Sequence, residues 1–178
     1  MNEIIISSFH SSFGELILGS YREYLVLCDW RYRKMRTTID ERIQKYFNVQ
    51  FETGNSKVLE KTKIQLEEYF SGQRNQFEIP LLLTGTNFQK SVWDELLKIP
   101  FGKTETYLNL SKKINNSKAI RAVASANGAN AIAIIVPCHR VLGSNGELTG
   151  YAGGLTAKGR LLQLEAQYSV KKQLELFD

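Results

Sequence analysis

Three short runs near the start of the chain carry the apolar clustering of strands. Residues 4–9, Glu15-Leu16-Ile17-Leu18-Gly19 and Tyr24-Leu25-Val26-Leu27-Cys28-Asp29-Trp30 are β-prone and separated by polar turn residues, which predicts an antiparallel sheet. The period then changes. Ser56 is a good N-cap, Leu59, Lys63, Leu66 and Phe70 recur at helical spacing, and Gly72 supplies a stop. Residues 73–83, interrupted by Pro80, predict an extended strand or loop.

A second series begins at Thr86-x-x-Gln89, a capping box. The helix it opens has a broad apolar face of Phe88, Val92, Leu96 and Ile99, with Trp93 and Leu97 beside them, and Pro100 and Gly102 end it. Two short helices follow, at about 107–114 and 118–126. The turn Asn115-Asn116-Ser117 joins them, with Ser117 as N-cap of the second. Two helices across a three-residue turn fit a helix-turn-helix, although most helical hairpins bind no DNA. In the second helix Ile120 and Val123 are placed inward. Ala119, Ala122 and Ala126 form a smooth strip with Arg121 beside it. Such a strip serves tight helix–helix packing as well as close approach to another surface. Residues 131–136 are an unbroken apolar run that predicts a buried strand or extended segment, and Pro137 then leads into Cys138-His139-Arg140.

Composition narrows the class. The 178 residues are 43% hydrophobic and 23% charged, with three Pro and thirteen Gly, which excludes collagenous, low-complexity and disordered chains. A chain this long buries roughly 70% of its unfolded surface, room for one core or two small ones. No run approaches the ~20 apolar residues of a membrane span. Glu3 stands where a secretory signal carries Lys or Arg, and the expected location is the cytoplasm. Two Cys and two His build neither a disulfide framework nor a structural zinc site. The net charge of +5 is unevenly divided. Residues 1–86 hold 11 Lys+Arg against 11 Asp+Glu, while residues 87–178 hold 12 against 7. A basic excess confined to one half favours a polyanionic partner, with nucleic acid first.

Cys138 is the first candidate for chemistry. An isolated Cys is usually a small buried hydrophobe. Here His139 and Arg140 follow it directly, and such neighbours can lower a thiol pKa and raise the thiolate fraction. Cys28, in an apolar strand, reads as inert filling. His139 is either a satisfied structural histidine or a base acting through a water or a shared turn. By spacing alone Glu165 is a solvated helix carboxylate, Tyr107 a helix-start aromatic and Asn130 a turn residue.

Val136-Pro137-Cys138-His139-Arg140-Val141 resembles the signature of the methylated-DNA–protein-cysteine methyltransferases, and its context is collinear with that family. Gly85-Thr86-x-Phe88-Gln89, Val92-Trp93, Ile99-Pro100-x-Gly102, Thr106-Tyr107, Lys118-Ala119-x-Arg121-Ala122-Val123 and Asn130 precede it. Gly150-Tyr151-x-Gly153-Gly154 and Glu165 follow. The likeness spans about residues 66–166, and the first sixty residues match only loosely. It implies an α+β fold. Residues 1–86 would form a small ribonuclease-H-like α/β domain. Residues 87–178 would form a mostly helical DNA-binding and alkyl-acceptor domain with a winged-helix-like helix-turn-helix.

The resemblance also implies a function, DNA repair by direct reversal. The alkyl group of O6-alkylguanine, with O4-alkylthymine as a second candidate, would pass irreversibly to Cys138 in a single turnover. His139 would be a water-mediated base oriented by Glu165. Tyr107 would protonate the departing guanine, and Asn130 would brace the turn. Arg121 would enter the base stack. Lys118, Ala119, Ala122, Ser125, Ala126, Thr106 and Arg140 would join it on the minor groove. Tyr107, Val136, Tyr151, Ala152 and Gly153 would line the pocket, with Ala152 a departure from some relatives. No cofactor and no metal are expected, since the first half offers only His10 and Cys28 as zinc ligands. The expected partner is double-stranded DNA carrying alkylated guanine, bound by a monomer.

The chemistry is coherent with this. An O6-methyl group lies inside the duplex stack, so the base must be flipped to reach a thiol, at a cost of a few kcal/mol. A damage scanner of any sequence relies on phosphate contacts and groove shape. A non-catalytic damage sensor of this type lacks the acceptor Cys, a regulator needs a further domain, and a thiol hydrolase has its Cys and His far apart in sequence.

Overall fold

The computed structural model describes residues 3–174. Strands β1 (Ile4–Ser11), β2 (Gly14–Tyr21) and β3 (Tyr24–Trp30) form the predicted antiparallel pairs. Helix α1 (Arg36–Phe47) then returns the chain so that β4 (Phe51–Thr53) pairs parallel to β1, giving the order β3-β2-β1-β4. This helix has no counterpart in the sequence reading, because only Ile39 and Ile43 face the core and so thin a stripe gives little periodic signal. Helix α2 (Lys57–Phe70) starts where expected, with Ser56 Oγ accepting from Leu59 N at 3.2 Å. Gly72, at φ +76°, follows its end. The segment after it is extended. Leu25 N donates to Pro80 O at 2.9 Å and Leu82 N donates to Leu25 O at 3.0 Å, so this segment lies along the free edge of β3.

Helix α3 (Asn87–Leu97) opens with the predicted capping box. Its buried face is narrower than the pattern implied, since Phe88 and Leu97 are exposed. Helices α4 (Tyr107–Lys113) and α5 (Ile120–Gly128) make the helical pair. The parallel strands β5 (Glu105–Thr106) and β6 (Val141–Leu142) flank it, and α6 (Gly154–Leu174) closes the fold. The architecture is mixed α+β.

Three local expectations fail for physical reasons. Ser117 does not cap α5, which starts after Ala119 with no side-chain cap. The connection is six residues long because Asn115 takes a left-handed turn (φ +57°) and Asn116 N bonds back to Ser111 O at 2.9 Å, leaving Ser117 exposed. Ile120 is exposed, not inward, while Val123 is buried. Residues 131–136 are buried but form successive turns and no strand. Ala133 N donates to Cys28 O (2.6 Å) and Val136 N to Ile132 O (2.9 Å). Ile134 sits at φ +72°, a conformation β-branched residues rarely adopt. Such strain costs on the order of 1–3 kcal/mol and persists only where the surroundings impose it. Here those surroundings are the β3 edge and a core that runs from Leu18 and Trp30 through Trp93 and Val123 to Leu161, joining both halves of the chain.

Among the described residues, no helix is long and apolar enough to cross a membrane. No group of three or more His, Cys, Asp or Glu among them is placed to hold a metal ion.

Candidate active site

Cys138 opens a single 3-10 turn, Cys138–Arg140, and is 3% exposed at the wall of a cavity of about 690 Å³. Asn130 organises the turn. Its Nδ2 lies 3.2 Å from Cys138 Sγ and 2.9 Å from Val136 O, while its Oδ1 accepts from Ile132 N at 2.9 Å. One buried amide thus fixes the sulfur and both ends of the strained segment. Asn127, on α5, donates to Tyr107 OH (3.3 Å) and Cys138 O (3.4 Å), which brings the phenol beside the thiol. Tyr107 itself begins α4, capped by Thr106.

Behind the turn lies a carboxylate hub. Glu165, from α6, is 1% exposed. Its Oε1 is 2.8 Å from His139 Nε2 and accepts from Tyr69 OH (2.7 Å) and Arg140 Nη2 (2.9 Å). Its Oε2 accepts from Arg140 Nε (2.9 Å) and Gly102 N (3.0 Å). Burial alone would raise the Glu165 pKa, but the hydrogen bond and charge of His139 and those of Arg140 outweigh it and hold the group at about 2. Burial pushes His139 below its ordinary value, which favours the neutral ring. With Nε2–H turned to Glu165, the buried Nδ1 is the ring's acceptor atom and has no hydrogen-bond partner among the described residues.

The thiol departs from expectation. Burial pushes Cys138 up to about 11, against the hydrogen bond from Asn130. His139 and Arg140 do not make it a resting thiolate, because Arg140 is turned to Glu165 and to Ile99 O (2.6 Å). The same geometry corrects the expectation that Arg140 contacts DNA, since its guanidinium is buried and fully engaged. Ala126 is buried on the opposite side of α5 from solvent, its carbonyl accepting from Trp93 Nε1 at 2.8 Å, so it is no part of an exposed strip. Val136 is fully buried and does not line the cavity. Tyr107, Tyr151, Ala152 and Gly153 do line it. Lys118, Arg121, Ala122 and Ser125 are exposed on or beside α5, while Ala119 and Thr106 are half-buried.

Several residues that build the site were not singled out from sequence. Trp30, from β3, meets Tyr151 edge to face with centroids 6.0 Å apart. The indole lies so close to Gly153 that a Cβ there would fall 2.5 Å from it. Lys158 is fully buried on α6. Its Nζ donates to Val141 O (2.6 Å) and Thr149 O (2.7 Å), pinning both ends of the pocket loop, and burial lowers its pKa to about 8. Arg33 pairs with buried Asp29 at 2.6 Å and donates to Asn130 O (3.0 Å) and Gly128 O (2.5 Å). The Asp29–Arg33 spacing of four was visible in the sequence, but its partners lie nearly a hundred residues away.

A family model for the DNA-binding domain of 6-O-methylguanine DNA methyltransferase matches residues 87–167. Over 111 residues the chain is 54% identical to the methylated-DNA–protein-cysteine methyltransferase of Methanosarcina acetivorans, covering 62% of this chain and 71% of that protein. Over 114 residues it is 50% identical to the Mycobacterium tuberculosis protein of the same name, covering 64% and 68%. The crystal structure of Mycobacterium tuberculosis OGT in complex with DNA is similar with a TM-score of 0.78 at 37% identity, over 93% of this chain and 94% of that one. Cys138, its Asn130 brace and the His139–Glu165 pair lie inside the matched region, and the chain belongs to the methylated-DNA–protein-cysteine methyltransferase family.

Proposed function

We propose that this protein repairs alkylated DNA by direct reversal, taking the alkyl group of O6-alkylguanine onto Cys138 once and permanently. The observation that carries this reading is the placement of the Cys138 thiol against a cavity of about 690 Å³, with Asn130 on its sulfur and the unpartnered Nδ1 of neutral His139 backed by Glu165. A thiol held at about 11 needs a base at neutral pH. His139 Nδ1, through one water, takes the proton while Glu165 stabilises the imidazolium that forms. Sulfur then attacks the alkyl carbon. The S–C bond forms as the C–O6 bond breaks, the electron pair leaves with guanine, and Tyr107 OH protonates the purine ring. Tyr107 recovers its proton from His139. The resulting thioether has no good leaving group, so turnover ends there.

DNA is the partner, and α4 with α5 is its proposed binding element, entering the minor groove as a helix-turn-helix. Exposed Lys118, Arg121, Ala122 and Ser125 support this, together with the basic excess of residues 87–178. Arg121 fills the space vacated by the flipped base. We assign residues 1–86 to a ribonuclease-H-like domain, on the mixed sheet β3-β2-β1-β4, and residues 87–178 to a winged-helix-like domain, on the helical pair flanked by β5 and β6. The protein works as a monomer in the cytoplasm, where its two free thiols stay reduced.

Intact-protein mass spectrometry after incubation with duplex DNA carrying one O6-methylguanine tests the reading. The expected result is a stoichiometric gain of one methyl group at Cys138, absent in Cys138→Ser. Selective binding of the damaged duplex with no mass gain refutes it in favour of a damage sensor.

A further inference from the structure

Glu165 Oε1 is crowded with donors. A carboxylate oxygen offers about two lone pairs. Four donor atoms nonetheless stand around this one: Tyr69 OH at 2.7 Å, His139 Nε2 at 2.8 Å, Arg140 Nη2 at 2.9 Å and Arg140 Nε at 3.2 Å. The shortest contact comes from the first half of the chain. Tyr69 lies in the last turn of α2 and is fully buried. Phe70, Phe77 and Phe101 surround its ring at 5.5, 5.4 and 6.0 Å between centroids, and its hydroxyl is aimed at α6. Burial, with the Glu165 charge added, pushes this phenol well above its ordinary range, so it stays a donor.

The consequence falls on His139. A carboxylate stabilises an imidazolium with whatever charge other donors leave free, and each further donor on the same oxygen takes part of it. The charged and titratable groups about His139 are Glu165 and Lys158 from α6, Arg140 and Cys138 in its own turn, and Tyr151 on the pocket loop, with ring centroids 6.3 Å apart. Burial disfavours the charged ring most, Glu165 favours it, and Arg140 and Lys158 oppose it. We infer that Tyr69 is a positioning residue of the acceptor site, whose hydroxyl occupies Glu165 Oε1 so that His139 rests as the neutral ring with Nδ1 free to take the thiol proton. Tyr69 does not line the cavity, so it acts through Glu165. Its purpose rests on the repair reading, because a base is needed only if Cys138 attacks.

Histidine NMR tests the contact directly, since the chain has only His10 and His139 and the exposed His10 serves as reference. His139 is titrated in the full chain without DNA, in the wild type and two variants. Tyr69→Phe deletes the donor and keeps the aromatic packing. Replacing Tyr69 with 2,3-difluorotyrosine keeps the hydroxyl and makes it a stronger donor, which reads the same contact should the deletion unfold the chain. Tyr69→Phe is expected to raise the His139 midpoint by about half a pH unit and the fluorinated variant to lower it, with His10 unmoved. A His139 titration unchanged in both variants, or moved the same way in both, overturns the inference. The acid-side fall in methyl transfer from duplex DNA carrying one O6-methylguanine, followed by mass spectrometry, should move with the His139 midpoint. Transfer that continues with an unmoved pH profile also overturns it. Opposite midpoint shifts with no methyl transfer by any of the three proteins retain the effect of Tyr69 on His139 and refute the repair reading.

Discussion

Glu165→Gln isolates what the buried carboxylate contributes. The substitution keeps the shape but removes the charge opposite Arg140, which is 7% exposed. Breaking a buried pair by neutralising one partner costs about 3–5 kcal/mol. Proton linkage gives a second figure. The carboxyl is held at about 2 against an ordinary 4.5, and at about 1.4 kcal/mol per unit this amounts to about 3 kcal/mol. Because the folded-state pKa is depressed, this stability is fully present above about pH 4.5 and is lost as pH falls towards about 2. A Gln side chain does not titrate. Urea denaturation across that range should therefore show the variant about 3 kcal/mol weaker near neutrality, with the difference closing on acidification. A protein of this size holds only about 5–15 kcal/mol in total, so the change is large. His139, held low by burial, adds an acid-side loss that begins below its ordinary 6.5, which is separable because it starts at higher pH. A difference under about 1 kcal/mol, or one that stays constant down to about pH 2.5, refutes the reasoning.

Arg121→Ala should slow repair of methylated duplex DNA about a hundredfold while changing reaction with free O6-methylguanine little, and equal losses would remove the assignment of this side chain to the base stack. Gly153→Ala would place a Cβ 2.5 Å from the Trp30 indole. It should displace the loop, slow alkyl transfer about tenfold and shift tryptophan fluorescence; an unchanged spectrum and rate contradict the close approach. Arg33→Leu strips donors from Asn130 O and Gly128 O and leaves buried Asp29 with Arg36. Chemical denaturation should report a loss of about 3–5 kcal/mol, and a loss below about 1 kcal/mol would show that this network is incidental.

Local signals carried much of the fold. The Thr86 capping box, the Ser56 cap and the three strands needed only nearest neighbours, and the structure shows all of them. Residues 131–136 were misread because six apolar residues look alike whether they run as a strand or coil through the core, and what separates the two is a distant partner, the β3 edge. The site shows the same limit. Adjacency to Cys138 made Arg140 look like a partner of its sulfur. A 3-10 turn, at three residues per turn, sends consecutive side chains in different directions, and Arg140 reaches Glu165 on α6 instead, where it joins His139 Nε2 on the same carboxylate. Asn130 was identified as a turn residue by its own spacing, and its link to sulfur depends on the packed turn. Lys158, Trp30 and Arg33 had no local signature, since what they touch lies far along the chain.

The tie between β3 and the acceptor segment bears on how this protein can be taken apart. Cys28 N and O both bond to residues 131–133, and Arg33 and Arg42 occupy the carbonyls of Gly128, Ala129 and Asn130. A fragment cut to residues 87–167 would carry Cys138, Asn130 and Glu165 yet expose five backbone groups of residues 128–133 that now have partners in the first half. Transplanting the alkyl-acceptor function onto another scaffold therefore requires residues 25–42 as well, whereas insertions beside exposed Asn55, in the connection between β4 and α2, meet no such bond to the acceptor turn and are the place to attach a reporter.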